Sequence, residues 1–298
     1  MTTIRVAVPR KGRPLEAVLE RLAARTGITD RADEVISTLQ YEKAVTKGRQ
    51  TPDSPVYERL AEYSDTADAG GPEYTLLRDD RDGMPRRIVF DSMSVAVDGF
   101  DVQLIGREEP FRALRKHEFA LGFDSADLVL EEVVQLRPDP LSEIAAINER
   151  IDPLDTDVRV VAGLGDTVDH TLLATPETAD GIDAELTREF VRQYEGQLCI
   201  SPRYERLVEA VLGTDALDGI EFTYPDSAEE EEAAIAATGA GVYLTVTGTT
   251  ARDHGLVVGE RLFPSETVLL ENRAELTETA ERARELFVAE EATDLVAQ

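Results

Sequence analysis

At 298 residues, the chain is long enough for one globular protein of two lobes or two domains. Its 31 basic and 60 acidic residues give a formal net charge of −29, which argues against a nucleic-acid binder that relies on clustered Lys and Arg. No apolar run reaches the ~18 residues of a membrane span, and a lone Cys199 excludes an internal disulfide or a multi-cysteine zinc site.

Hydrophobic content of 42% beside 31% charged residues is a globular composition. Lysine occurs only at Lys11, Lys43, Lys47 and Lys116. An acid-rich, lysine-poor surface suits a salt-filled cytoplasm, where screening removes the self-repulsion of the compact state. Met1 leads directly into a strand without a long apolar segment, so the expected location is cytoplasmic, with neither membrane nor nucleic acid as partner. His117, His170 and His254 are scattered, and no dedicated transition-metal cage is expected.

The first forty residues read as strand, turn and helix. Ile4, Val6 and Val8 alternate with Arg5 and Ala7, the PRKGRP segment breaks the strand, and Leu15, Val18, Leu19 and Leu22 follow at helical spacing. Pro14 stands at the helix start, where its missing N–H costs nothing. From Thr29 to Pro72 the pattern weakens into an irregular or partly helical insert, broken by Pro52, Pro55 and the run Ala69-Gly70-Gly71-Pro72. Strands are expected at Tyr74 to Arg78, Ser94 to Val97 and Asp101 to Gly106, with a strand-rich stretch from Leu121 to Leu136. A second loose region runs from Pro138 to about Glu195, with one strand at Val158 to Val161 and two helical patches. Gln197 to Pro202 then reads as a short strand, and Tyr204, Leu207, Val208, Val211 and Leu212 mark an amphipathic helix. The acidic run Glu229 to Glu232 precedes a helix-favouring stretch and reads as a solvated face. After a strand ending in VYLTV comes TVTGTTARDHGL; Leu262 to Asn272 returns as a strand, and a helix carries Leu276, Ala280, Ala283, Leu286 and Phe287. Strands alternating with helices predict an α/β protein with largely parallel sheets and ligand sites at the strand carboxyl ends.

Thr247, Gly248, Thr249 and Thr250 supply small hydroxyls and one unhindered backbone at a strand-to-helix turn. Such a turn presents free N–H groups and the positive end of a helix dipole, which suit a phosphate. An ordinary Thr-capped helix after a strand gives the same residue types.

Four segments, in this order, resemble the catalytic part of the ATP phosphoribosyltransferase family, the first enzyme of histidine biosynthesis. Arg5 to Leu22, with its K-G-R turn, is similar to the family's opening strand and helix. Phe100 to Glu109 and Ala120 to Leu130 resemble its next two strand motifs, and Val246 to Asn272 is similar to its phosphate loop and following strand. Gln197 to Leu207 adds a weaker echo. The resemblance covers about half the chain and implies a two-lobed α/β fold, similar to type II periplasmic binding proteins, with mixed, mostly parallel sheets and a cleft between lobes. It places lobe I at 1–108 plus 257–298 and lobe II at 109–256, without a C-terminal regulatory domain.

By the same resemblance, Thr247, Gly248, Thr249 and Thr250 would cradle the 5′-phosphate of phosphoribosyl pyrophosphate. Lys11, Gly12 and Arg13 would face the pyrophosphate or the nucleotide, and Mg²⁺ would bridge the phosphates. Arg13 suits this role because its planar fork meets phosphate bidentately; the alternative is a surface charge on a turn. The resemblance also implies ATP or another nucleotide as second substrate, and a homo-oligomer or a separate regulatory subunit. No catalytic side chain is singled out.

The sequence departs from the family where two aspartates precede the phosphate loop, for Gly239 and Tyr243 stand there. The expected function is phosphoribosyl transfer to ATP or another base. The alternative is a homologue that binds phosphoribosyl pyrophosphate or a nucleotide without turnover, and a third reading is a binder of an unrelated small anion.

Overall fold

The computed structural model describes residues 2–64, 68, 70–78, 86–182, 184–225 and 230–288. Strand β1 (Thr2–Pro9) buries Val6 and Val8, and α1 (Arg13–Thr26) buries Leu15, Val18, Leu19 and Leu22 in the same hydrophobic cluster. Each of these fully buried side chains contributes about 1.5–3 kcal/mol relative to exposure. The expected insert at Thr29 to Pro72 forms two regular helices, α2 (Thr29–Thr46) and α3 (Val56–Tyr63). The apolar stripe of α2 is narrow, with only Ala32, Val35 and Leu39 buried among many charges, so its period was weak in the sequence. Ala69 lies outside the described residues.

Strands β2 (Glu73–Arg78), β3 (Arg86–Val97) and β4 (Phe100–Arg107) follow, then α4 (Pro110–Arg115), β5 (Leu121–Ser125) and α5 (Ala126–Val133). The expectation of strand from Leu121 to Leu136 therefore holds only for its first residues. Ser125 ends β5 and accepts a hydrogen bond from Asp127 N, which caps α5. Next come β6 (Val158–Gly163), β7 (Val168–Ala174), α6 (Pro176–Asp180) and α7 (Arg188–Gln193). Strand β7 was not foreseen. Strand β8 (Gly196–Ile200), α8 (Glu205–Leu212), β9 (Ile220–Thr223), α9 (Glu231–Thr238), β10 (Ala240–Thr245) and α10 (Thr249–Asp253) lead to β11 (Val257–Ser265), β12 (Thr267–Asn272) and α11 (Glu278–Glu285).

The chain forms two compact units. The first comprises Met1–Asp124, Asp157–Asp166 and Thr267–Gln298; its sheet has the order β2-β3-β4-β1-β5-β12-β6. The second comprises Ser125–Thr156 and Thr167–Glu266, with the sheet β11-β7-β10-β8-β9. The boundaries differ from those expected at 108/109 and 256/257. Strand β5 stays with the first unit because it pairs with β1, and β11 stays with the second because it pairs with β7. The run Leu262 to Asn272, expected as one strand, is divided between the two sheets. Parallel pairing occupies β4-β1-β5 and β10-β8-β9, whereas the β2-β3-β4 ladder, β12-β6 and the β11-β7-β10 ladder are antiparallel.

Candidate functional site

In the second unit, β8, β9 and β10 run parallel, so their carboxyl ends lie along one rim. Ligands in α/β sheets bind at such ends. Strand β10 ends at Thr245, and the chain then turns through Val246, Thr247 and Gly248 into α10. Gly248 is left-handed (φ 69°), and a Cβ added to it would stand 2.9 Å from Val258 Cγ2. Both constraints demand glycine. Thr247, Thr249 and Thr250 are exposed, with Thr247 Oγ1 and Thr249 Oγ1 2.9 Å apart. Arg252 Nη1 donates to Thr247 O at 2.9 Å and braces the turn from within α10. The four predicted residues are thus brought together in one turn, with the three threonines exposed and Gly248 buried between them. Sequence reasoning missed Arg252 and Val258, whose contacts carry no local spacing signal.

Beneath this turn, α9 and α10 share the cluster formed by Leu173, Cys199, Ala234, Ile235, Ala251 and Leu256. Two glutamates of α9's amino end reach neighbouring elements. Tyr243 Oη donates to Glu231 Oε2 at 3.1 Å, and His254 Nε2 lies 3.4 Å from Glu230 Oε2. Burial first, and the Glu231 carboxylate next, push the Tyr243 phenol above its ordinary range. His254 Nδ1 lies 3.0 Å from the Thr250 carbonyl. That carbonyl, with Glu230, Glu232 and Asp253, raises the His254 pKa. Glu229, the first residue of the acidic run, lies outside the described residues. Gly239 caps the carboxyl end of α9 at φ 111°, and a Cβ there would meet Thr178 Oγ1 at 2.9 Å. An aspartate would not fit that corner without moving it.

In the first unit, β1 lies between β4 and β5 and is parallel to both. The chain leaves β1 toward β4 and later crosses to β5, a topological switch point of the kind that receives ligands. Lys11, Gly12 and Arg13 occupy the turn from β1 to α1, whose amino end has no side-chain cap. Each neighbouring cation meets an acid: Arg10 Nη2 lies 3.6 Å from Asp91 Oδ1, Lys11 Nζ 4.0 Å from Glu108 Oε2, and Arg13 Nη1 3.2 Å from Asp166 Oδ2. Asp166 is fixed by Thr267, accepting from its backbone N at 2.8 Å and from Oγ1 at 2.7 Å. Arg13 is therefore oriented by a held carboxylate, while Lys11 makes only a loose contact.

A sequence model of the family described as halobacterial ATP phosphoribosyltransferase matches residues 1–298. No curated protein matches the chain in sequence. Among solved structures, it is similar to the ATP phosphoribosyl transferase (HisG:HisZ) complex from Thermotoga maritima at 12% identity and TM-score 0.43, covering 98% of each chain. It is similar to YhfZ from Shigella flexneri at 10% identity and TM-score 0.43, covering 98% of this chain and 92% of that one. An ABC transporter from Parabacteroides distasonis matches at 12% identity and TM-score 0.36, over 96% of this chain and 71% of that one. At such scores the strand orders above, and not these likenesses, carry the fold. Among the described residues, no helix is long and apolar enough to cross a membrane.

Proposed function

The chain belongs to the halobacterial ATP phosphoribosyltransferase family, glycosyltransferases that act on phosphoribosyl pyrophosphate and ATP, and we propose that its Thr247–Thr250 turn holds the 5′-phosphate of the sugar. The exposed hydroxyl group of this turn, shaped by left-handed Gly248, is the observation that carries the reading. Backbone N–H groups and threonine hydroxyls donate to phosphate oxygens there, and the dipole of α10 adds to the attraction. Lys11, Gly12 and Arg13 face a second anionic group, of the pyrophosphate or of the nucleotide.

The reaction is the one that the family implies. A ring nitrogen of ATP attacks ribose C1, the C1–N bond forms, and the C1–O bond to pyrophosphate breaks with its electron pair leaving on oxygen. Positioning and stabilisation of the leaving charge suffice, so no covalent side chain is required. Among the described residues no cluster of three or more His, Cys, Asp or Glu could cage a metal. Mg²⁺ would be held mainly by the substrate's own phosphates, as suits an ion that keeps several of its waters. When bound, Mg²⁺ neutralises charge on the departing pyrophosphate. The test is pyrophosphate release at molar KCl with Mg²⁺, phosphoribosyl pyrophosphate and ATP: release is expected from the wild type, and its absence from a folded enzyme contradicts the reading.

A further inference from the structure

We infer that Arg261, aimed by Asp169, is a phosphate ligand beside the Thr247–Thr250 turn, a conclusion that rests on the reading of that turn given above. Register provides the first argument. In the antiparallel pairing of β10 with β7, Thr245 stands opposite Asp169 and Tyr243 opposite Thr171. In the pairing of β11 with β7, Arg261 stands opposite Thr171 and Val258 opposite Leu173. Residues directly opposite share a face of the sheet, so Thr245, Asp169, Thr171, Arg261 and Val258 project to one side. The 2.6 Å contact between Thr171 Oγ1 and Thr245 Oγ1 agrees with that assignment. Gly248 approaches the same face, because its missing Cβ would touch Val258. The threonine turn therefore passes over β11 three residues from Arg261.

The second argument is local geometry. The β11–β7 register shifts between Val258 and Arg261, a bulge of the kind that re-aims a side chain. Arg261 is 67% exposed, while Asp169 is only 18% exposed and holds Arg261 Nη1 at 3.2 Å from its Oδ2. That contact uses one of the guanidinium's five N–H groups and orients the rest of the fork. Electrostatics supplies the third argument. The turn offers only neutral donors, in a chain of net charge −29, and a phosphate bound there needs a cation. Arg252 Nη1 is engaged by Thr247 O, and Arg261 is a further cation that this face of the sheet presents.

Isothermal titration of the full chain at molar KCl with ribose 5-phosphate, and separately with ATP, tests this. Loss of one charge-assisted hydrogen bond predicts that Arg261→Gln weakens ribose 5-phosphate by about tenfold or more and leaves ATP affinity and melting temperature unchanged. Arg261→Lys, keeping charge without the fork, should restore part of the affinity; if Arg261→Gln fails to fold, a several-fold loss in Arg261→Lys is the expected result. Wild-type affinity in the variant that folds, or an equal loss for ATP, overturns the inference. Gly248→Val separates the two levels. Its loss of ribose 5-phosphate binding with none in Arg261→Gln rejects Arg261 alone, whereas retained binding in Gly248→Val, or none in the wild type, removes the site on which both depend.

Discussion

Tyr243 Oη hydrogen-bonds Glu231 Oε2 at 3.1 Å and ties β10, the strand that delivers the threonine turn, to the first turn of α9. Tyr243 stands where the family pattern carries an aspartate, and a carboxylate reaches it here from a helix instead of the strand itself. The bond is half-buried and links groups from two elements. We expect a double-mutant cycle of Tyr243→Phe and Glu231→Gln to show coupling of about 1 kcal/mol in denaturant midpoints. Fully additive losses would show that the pair does not interact in solution.

Gly248→Val forces a β-branched residue into a left-handed conformation and against Val258. Strain of about 1–3 kcal/mol is expected, relieved by displacement of the turn. The variant should melt somewhat lower and lose the rise in melting temperature that Mg²⁺ and phosphoribosyl pyrophosphate give the wild type. An undiminished rise would remove the turn from the binding site.

His254 gives the fold a dependence on pH. Its folded pKa is raised above the ordinary 6.5, chiefly by the Thr250 carbonyl and then by Glu230. A raised folded value means the imidazolium's contribution to stability is complete below the ordinary pKa and is lost as pH rises through the folded one. The melting-temperature difference between wild type and His254→Gln should therefore be largest below 6.5 and shrink as pH rises above it. A difference that grows with pH would contradict the placement. The pair is exposed, so the effect should be small and weaken further in high salt.

Glu42 and Arg59 form a buried ion pair at 2.7 Å, with Tyr63 donating to the same carboxylate at 3.0 Å. Removing one partner leaves a buried charge uncompensated, so Glu42→Ala should destabilise by about 3–5 kcal/mol. A loss under 1 kcal/mol, read by chemical denaturation, would show that the α2–α3 segment opens independently of the rest.

The charge of −29 predicts salt dependence of the fold. On dilution from molar KCl, circular dichroism should report lost structure as unscreened carboxylates repel. An intact fold in dilute buffer would contradict the halophilic reading.

Much of this was legible in the sequence because it is locally encoded. The alternation of Ile4, Val6 and Val8, the stripe from Leu15 to Leu22 and the Gly/Thr composition of residues 247–250 each announce their element within one short window. Helix α2 was hidden because only three of its buried side chains are apolar, among many charges, and α5 because Ser125 turns an apolar run from strand to helix. The division of the chain between two units depends on which strand each neighbour pairs with, as β11 does with β7, and no window of sequence records that. The contact of Asp169 with Arg261 is likewise long-range.

The most direct measurement is the dissociation constant of Mg²⁺–phosphoribosyl pyrophosphate for the wild type and for a Thr247→Ala, Thr249→Ala double variant. Both hydroxyls are exposed and bond each other, so the variant should keep its fold. If the turn grips the sugar's phosphate, affinity should fall by about tenfold or more. Equal affinity in the two proteins would mean that the phosphate is held elsewhere.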